Sequence, residues 1–337
     1  MLCSLQTIDD IHEWSQSAPA QTFLRERFWI EKIPCRAQFY NILGCVDAEK
    51  FNKSFIKWVQ GMLHGNLSGK TVAIDGKTIC STDKLTQDGS ALHIASAIVS
   101  EYGLVIGSQE CGGTTTGEIT AFRELLDMLD VKGSVVVADA LHCTPKSAEA
   151  VVSAEADYLL VVKDNNPTLK DDIEFYFRNE QNLEKFSKTE KNGGRIERRT
   201  AFVSHMIGTW LHNFGEWRNL SCIGAIHTEF EKDGKRSSEW HYYISSAPLT
   251  AESLLHHARL EWGVESMHWL LDVHFAEDKT RVWDMNVQKI LNIIRKIALN
   301  LAKDFKSKTE SKVPISGILK RNLFDISILS YFLDFFS

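Results

Sequence analysis

The chain has 337 residues, 44% hydrophobic and 24% charged, which indicates a soluble globular protein with room for more than one domain. No run of residues approaches the ~18 apolar positions of a membrane span, and the seven cysteines include no C-x-x-C pair. The formal net charge of −6 argues against a wholly basic nucleic-acid-binding surface, although local basic patches can still contact phosphates.

The first part of the chain has helical character. Residues 47–59 place Phe55 and Val59 on one face at helical spacing, and Asp47 precedes them as an N-cap. The N-terminus lacks the basic and apolar regions of a secretory signal, so a cytoplasmic protein is expected. We predict a helical N-terminal region over residues 1–68.

From residue 71 the apolar pattern changes to that of strands. Three closely spaced strands, at 71–75, 92–99 and 103–109, predict an antiparallel meander. Helix and strand then alternate, which predicts parallel additions to the sheet. These elements are a helix over 117–129, a strand ending before Asp139, a helix opened by Pro145 and a strand over 157–163.

Two of these strands lead into an aspartate. Asp75 and Asp139 each follow a short apolar run, and a carboxylate beside a buried strand is costly to desolvate unless it is hydrogen-bonded, paired or bound to a cation. Two such strands are typical of a two-metal phosphoryl-transfer site. Taken singly, each aspartate is equally well explained as the cap of a turn or helix.

The order β-β-β-α-β-α-β is that of a ribonuclease-H-like domain, whose acids come from the first and fourth strands and from a later helix. Neighbouring first and fourth strands would bring Asp75 and Asp139 to one edge. We therefore predict an α/β fold over residues 69–337, with a ribonuclease-H-like mixed sheet and flanking helices. A β-rich insertion is expected at about 179–248, before the last catalytic helix.

A helix is predicted from Thr250 to about Val273. One of its faces mixes indoles, an imidazole and carboxylates, which is costly unless a cation offsets the like charges. This face therefore predicts the third acid of the site. Its residues are Glu261, Trp262, Glu265, His268, Trp269 and Asp272.

The chain also resembles a known family. Residues 261–281 resemble the "HWgIEN-x-LHWvLDVxFxEDxxR" signature of bacterial insertion-sequence DDE transposases of the H-repeat-associated group, and residues 73–78 resemble its "AIDGKT" motif. Further likenesses follow in the same order, from about residue 30 to the C-terminus. They lie at residues 118–121, 139–140, 157–165 and 194–199.

The resemblance implies a domain that cuts and rejoins DNA at transposon ends. By position, Asp75, Asp139 and Glu265 would be the catalytic acids and would bind two Mg²⁺ (or Mn²⁺) ions. The implied partners are double-stranded DNA at terminal inverted repeats and target DNA, at the nucleoid; a homodimer is an open alternative to a monomer. Compared with the family, the N-terminal helical region is shortened.

Basic residues near these motifs are candidates for DNA contacts. They are Lys77, Arg195, Arg198, Arg199 and Arg281. The arginines at 195–199 could equally belong to a solvated loop. A later helix, from Gln288 to about Lys306, has the pattern of an ordinary amphipathic surface helix rather than a groove reader.

Departures from the family pattern leave two further functions open. Glu261 stands where the group has histidine, and Ser266 stands where it has asparagine. One alternative is a decayed, non-catalytic DNA-binding remnant, and the other is a stand-alone nuclease of the same fold. Glu261 is also the alternative third acid.

Overall fold

The computed structural model describes residues 1–63, 67–79, 91–112, 115–192 and 194–334. A mixed sheet of nine strands runs through these residues. The strands are β1 (Thr71–Ile79), β2 (Leu92–Val99), β3 (Leu104–Cys111), β4 (Val135–Ala138), β5 (Asp157–Val162), β6 (Glu184–Asn192), β7 (Arg195–Ser204), β8 (Cys222–Lys232) and β9 (Lys235–Ser245).

Helices flank this sheet and make up the N-terminal region. They are α1 (Ile8–Ser15), α2 (Ala18–Phe28), α3 (Arg36–Cys45), α4 (Ala48–Met62), α5 (Thr115–Met128), α6 (Pro145–Ser153), α7 (Pro167–Asn179), α8 (Ala251–Leu260), α9 (Gly263–Phe275), α10 (Met285–Lys308), α11 (Ile315–Phe324) and α12 (Ile326–Leu333). In the part of the chain that the structure describes, no helix has both the length and the apolar character to cross a membrane.

The strand order is β3-β2-β1-β4-β5-β9-β8-β7-β6. β1 to β3 form an antiparallel meander, while β4 lies parallel to β1 on one side and to β5 on the other. The first and fourth strands are therefore neighbours. This confirms the predicted ribonuclease-H-like arrangement of the sheet.

The last N-terminal helix, α4, shares the core of the sheet. The Asp47 side chain accepts a hydrogen bond from the Lys50 backbone N–H at 3.0 Å and so caps α4. Phe55, Ile56 and Val59 of α4 are buried in the same apolar cluster as residues of β1 to β3. The predicted apolar stripe is thus a core contact that attaches the N-terminal region to the sheet.

The charged segment after α7 forms strands, as the predicted β-rich insertion at about 179–248 requires. β6 and β7 form a regular antiparallel pair, from Glu184 opposite Val203 to Asn192 opposite Arg195. Ala201 and Val203 are buried in the core on one face of this pair. Because β9 pairs with β5, the β-rich insertion extends the main sheet.

The helix predicted from Thr250 to Val273 is interrupted. α8 ends at Leu260 and α9 begins at Gly263. Between them the chain makes a 3-10 turn, in which ψ of Trp262 is −6° and the Val264 N–H donates to Glu261 O, three residues earlier. Gly263 approaches the turn after β2 closely, since an added Cβ would lie 3.1 Å from Ser100 Oγ. This contact places the start of α9 against the sheet.

The surface-helix interpretation of residues 288–306 is wrong. α10 is central, and its Arg295 and Lys296 are 2% and 1% exposed. Arg295 Nε donates to Phe275 O at 3.1 Å, and Lys296 Nζ donates to Ser96 Oγ at 3.0 Å. The apolar pattern identified the helix, but it could not show that charged residues on the other face would be buried with partners.

Candidate active site

Asp75 and Asp139 are brought together by strand register. Ile74 pairs with Ala138 in the parallel ladder of β1 and β4, so the next residues of the two strands, Asp75 and Asp139, lie side by side. Neighbouring strands are about 4.8 Å apart. β4 ends at Ala138 whereas β1 continues to Ile79. Asp75 is therefore in mid-strand, not at the strand end as expected. It lies just beyond the last residue of β1 that pairs with β4.

This geometry removes the turn-cap explanation for both aspartates. A residue inside β1 caps nothing, and the Asp139 side chain forms no capping hydrogen bond to the short helical turn that follows it. Lys163 Nζ, just beyond β5, donates instead to Asp139 Oδ1 at 2.7 Å. Both carboxylates therefore lie at the end of the sheet where β4 stops.

α9 lies along β1 in matching register. His268 Nε2 is 3.7 Å from Asp75 Oδ2, and Asp272 forms an ion pair with Lys77. The four-residue step on the helix spans about 6 Å and the two-residue step on the strand about 6.7 Å, so the two elements stay aligned. Glu265 therefore projects from α9 about one turn before His268, on the side of the aspartates.

Five carboxylates line one cavity of about 230 Å³ at this end of the sheet: Asp75, Asp139, Glu239, Glu261 and Glu265. Glu261 reaches it from the interruption between α8 and α9. Burial, together with Asp139, Asp75 and Glu265, raises the pKa of Glu261 to about 7. Burial and the nearby carboxylates Glu118 and Asp139 raise the pKa of Asp75 to about 6. Burial tends to raise the pKa of Asp139, but Lys163, the Ala140 backbone N–H and His142 together outweigh burial, so the pKa of Asp139 is lowered.

The donor set fits hard divalent cations. Mg²⁺ and Mn²⁺ prefer carboxylate oxygens, and here these oxygens project from two strands and a helix that are held by the core. Neighbouring carboxylates raise one another's pKa by repulsion, and a bound cation would offset that repulsion. Asp75, Asp139 and Glu265 could supply ligands, and Glu261 adds a further oxygen donor.

His268 is a feature of the site that the sequence did not single out for a role. Both of its ring nitrogens are buried without a hydrogen-bond partner. Burial, followed by the charges of Lys77 and Lys296, lowers the pKa of His268 to about 3, so the imidazole is neutral. A neutral ring beside Asp75 can accept a hydrogen bond from a water molecule or donate one to a phosphate oxygen.

Glu118 is a second such residue, placed beside Asp75 by a glycine. A Cβ at Gly76 would lie 2.5 Å from Glu118 Cδ, so only glycine allows this close approach. Glu118 Oε2 lies 2.9 Å from His93 Nε2, and Glu118 Oε1 lies 3.5 Å from His142 Nε2. His142 and His93 lower the pKa of Glu118 to about 2. Residues 73–78 and 118–121, which both resemble segments of the transposase group, thus meet at the site.

The acidity of Asp75 gives a testable pH dependence. In the metal-free protein its pKa is raised from 3.8 to about 6, so the unfolded state ionises first and the stability that this group contributes is lost as pH rises through that interval. Asp75→Asn should therefore raise the melting temperature relative to wild type, by an amount that grows from pH 4 to about pH 6 and then levels off. Calorimetry in EDTA measures this difference.

Millimolar Mg²⁺ is the matched control for that prediction. A bound cation favours the ionised carboxylate, so it should stabilise wild type more than Asp75→Asn at neutral pH. A melting-temperature difference that shrinks as pH rises in EDTA would contradict the burial of this carboxylate.

Lys77 and Arg199 have internal partners. Lys77 Nζ lies 2.9 Å from Glu277 Oε2 and 3.6 Å from Asp278 Oδ1, in addition to its pair with Asp272. Arg199 is 6% exposed and pairs with Glu190 and Glu197. Their charges are balanced within the protein, which argues against the predicted phosphate contacts.

The other basic candidates remain accessible. Arg198 is 60% exposed and lies 4.0 Å from the nearest carboxylate oxygen, on Glu229. Arg195 is 44% exposed, pairs with Glu197 and stacks over the Phe230 ring at 4.7 Å. Arg281 is exposed and lines a separate cavity beside the N-terminal helices. The structure therefore does not gather the predicted basic residues into one patch.

The family description "Transposase DDE domain" matches residues 67–301, about 70% of the chain. This chain belongs to the DDE transposase family. The match spans β1 to the middle of α10 and so includes every carboxylate of the cavity.

Individual relatives of this DDE transposase agree with that assignment. It is 34% identical to the candidate transposase YncI of Escherichia coli O157:H7, over 87% of this chain and 78% of that protein. It is 32% identical to the H repeat-associated candidate transposase YhhI of Escherichia coli K12, over 86% and 77%. Among solved structures, it is similar to a piggyBac transposase in a synaptic complex with hairpin DNA, with 11% identity and a TM-score of 0.46 over 99% of this chain and 80% of that chain.

Proposed function

We propose that this DDE transposase cleaves DNA at the ends of an insertion sequence and joins the resulting ends to target DNA. The observation that carries the proposal is the register of β1 and β4, which sets Asp75 beside Asp139. Glu265 completes an Asp-Asp-Glu set on the wall of the same cavity. Phosphodiester cleavage requires stabilisation of charge on both the attacking and leaving oxygens, and clustered carboxylates serve this by holding cations.

Two Mg²⁺ or Mn²⁺ ions would supply the Lewis acidity and the activated water or DNA 3′-hydroxyl. Asp75 and Asp139 would hold them from the sheet, and Glu265 would hold them from α9. Lys163, paired with Asp139 at 2.7 Å, keeps that carboxylate ionised and oriented. His268 would orient water or a phosphate oxygen beside Asp75. Asp75, Asp139, Lys163 and Glu265 line the cavity, and His268 lies beside Asp75.

The DNA would lie over this edge and extend to exposed arginines. Arg198 on the insertion, Arg195 nearby and Arg281 after α9 are the contacts we propose for phosphates at the terminal inverted repeat and target. The reaction would occur on cytoplasmic, nucleoid DNA, and a homodimer would let two transposon ends be cut together.

Arg198→Ala should weaken binding to DNA of any sequence. A single lost phosphate contact lowers the slope of log affinity against log salt by about 0.9. Fluorescence anisotropy with a labelled duplex at several salt concentrations measures this slope. Lys132→Ala is the matched control, since Lys132 is also exposed but lies before β4, at the end of that strand opposite to Asp139. Equal slopes for wild type and Arg198→Ala would exclude Arg198 as a contact.

The decisive test of function uses inverted repeats identified by sequencing the DNA on both sides of the gene. A labelled duplex carrying one repeat should be nicked by the protein in Mg²⁺ and left intact in EDTA, and added target DNA should yield joined products. Nicking without joining would instead identify a stand-alone nuclease. DNA binding without nicking would identify a non-catalytic remnant, the function that the departures at Glu261 and Ser266 favour.

A further inference from the structure

A second cluster of metal-ligating side chains lies at the other end of β1. Among the described residues, Glu101, His256 and His257 each offer a ligand atom, and these atoms lie within 4.8 Å of one another. Glu101 is in the turn after β2, and the two histidines are adjacent on α8. None of them lines the acidic cavity.

Hydrogen bonds prepare this cluster for a metal. Thr71 Oγ1 donates its one proton to Glu101 Oε1 at 3.0 Å. Since Thr71 Oγ1 has no second proton, it must accept a hydrogen bond from the Nδ1–H of His257, which lies 2.8 Å away. His257 Nε2 is then left with a lone pair. Metal-binding histidines typically donate their other ring N–H in this way, which fixes the tautomer and the ring.

The carboxylate is held by the same residue. The Thr71 backbone N–H donates to Glu101 Oε1 at 2.8 Å and to Oε2 at 3.1 Å, which orients the Glu101 carboxylate. Its oxygens retain further lone pairs.

His256 is the adjustable ligand. Its side chain is 57% exposed, and its Nε2 is 3.9 Å from Glu101 Oε1. Bonds of about 2.0–2.1 Å to one metal place two ligand atoms at most about 4 Å apart, so the cluster must contract by up to ~1 Å. An exposed side chain can make that movement without disturbing the core.

We propose that Glu101, His256 and His257 bind one divalent transition-metal ion, of which Zn²⁺ is the representative. Two imidazoles and a carboxylate suit Zn²⁺ better than Mg²⁺, with water in the fourth position. The ion ties α8 to the start of β1. Since α8 leads to Glu261 within four residues, the site stabilises the helix that enters the acidic cavity, and it does not depend on the function proposed above.

The test uses the full-length, tag-free protein stripped of metal and titrated with Co²⁺ as a spectroscopic substitute for Zn²⁺. Wild type and Asp139→Asn should both show a visible absorption band that one equivalent of Zn²⁺ abolishes. His256→Ala should lose the band and bind Zn²⁺ at least ~100-fold more weakly. Because His256 is exposed, its replacement should leave the fold intact, which circular dichroism verifies.

Thermal unfolding gives an independent measurement. Zn²⁺ should raise the melting temperature of wild type and Asp139→Asn but not of His256→Ala or Glu101→Gln. If His256→Ala keeps the Co²⁺ band, or if Asp139→Asn loses it, then the ion binds in the acidic cavity and the proposal is wrong. Absence of any band in wild type would also overturn it.

Discussion

Asp75→Asn should abolish nicking of the terminal inverted repeat, with a loss of roughly a thousandfold or more in cleavage rate. Asparagine keeps the size of the side chain but loses the negative charge that holds a cation beside Asp139. The same substitution relieves repulsion in the metal-free cavity, so the variant should be at least as stable as wild type. Lost activity with retained stability separates a metal-binding role from a structural one. Gel analysis of the labelled duplex in Mg²⁺ gives the rate.

Two single variants, one at Glu261 and one at Glu265, show which of these residues is the third acid of the site. Glu265→Gln should be as inactive as Asp75→Asn, whereas Glu261→Gln should retain measurable nicking. Both side chains line the cavity, so each is the control for the other. If the two results are exchanged, Glu261 is the third acid, and nicking by Asp75→Asn at the wild-type rate would reject the whole site.

Lys77→Met should lower the free energy of unfolding by about 3–5 kcal/mol. Lys77 is 15% exposed and its main partner, Glu277, is 2% exposed. Removing the ammonium leaves a buried carboxylate with one ammonium partner fewer, although Asn292 Nδ2 still donates to Glu277 Oε1 at 2.7 Å. Urea unfolding followed by tryptophan fluorescence measures the change.

Lys53→Met is the matched control. Lys53 also pairs with a glutamate, Glu49 at 2.6 Å, but both side chains are largely exposed on α4, and such pairs contribute little to stability. The double variant Lys77→Met/Glu277→Gln should recover part of the lost stability because it removes the unpaired charge. Similar urea midpoints for Lys77→Met and Lys53→Met would contradict the importance of the buried network.

The sheet and two of its acids could be predicted from sequence because their signals are local. Apolar runs of strand length precede Asp75 and Asp139, and the alternation with helices specifies which strands are parallel. The exact position of Asp75 within β1 could not be predicted, because it depends on where β4 ends. The residues around Asp75 carry no information on where β4 ends, since β4 is a separate segment of the chain.

Other features depend on contacts between distant segments. Glu118 comes close to Gly76 through the packing of α5, His268 comes within 3.7 Å of Asp75 through the packing of α9, and Glu261 enters the cavity at an interruption of the predicted helix. Neither these approaches nor the interruption has a local sequence signal. The burial of Arg295 on α10 and the position of Arg199 over the Trp262 ring are likewise tertiary. Charge patterns predict solvated faces by default, and partners far along the chain override this default.

The pairing of β9 with β5 bears on how this protein can be shortened. β5 hydrogen-bonds to β9 through four residue pairs, from Leu159 opposite Ser245 to Val162 opposite Tyr242. Excising the insertion would leave β5 as an open edge of apolar residues, which is a template for association with other chains. A minimal version of the enzyme must therefore keep β9 or a substitute strand, or it will aggregate before its catalysis can be measured.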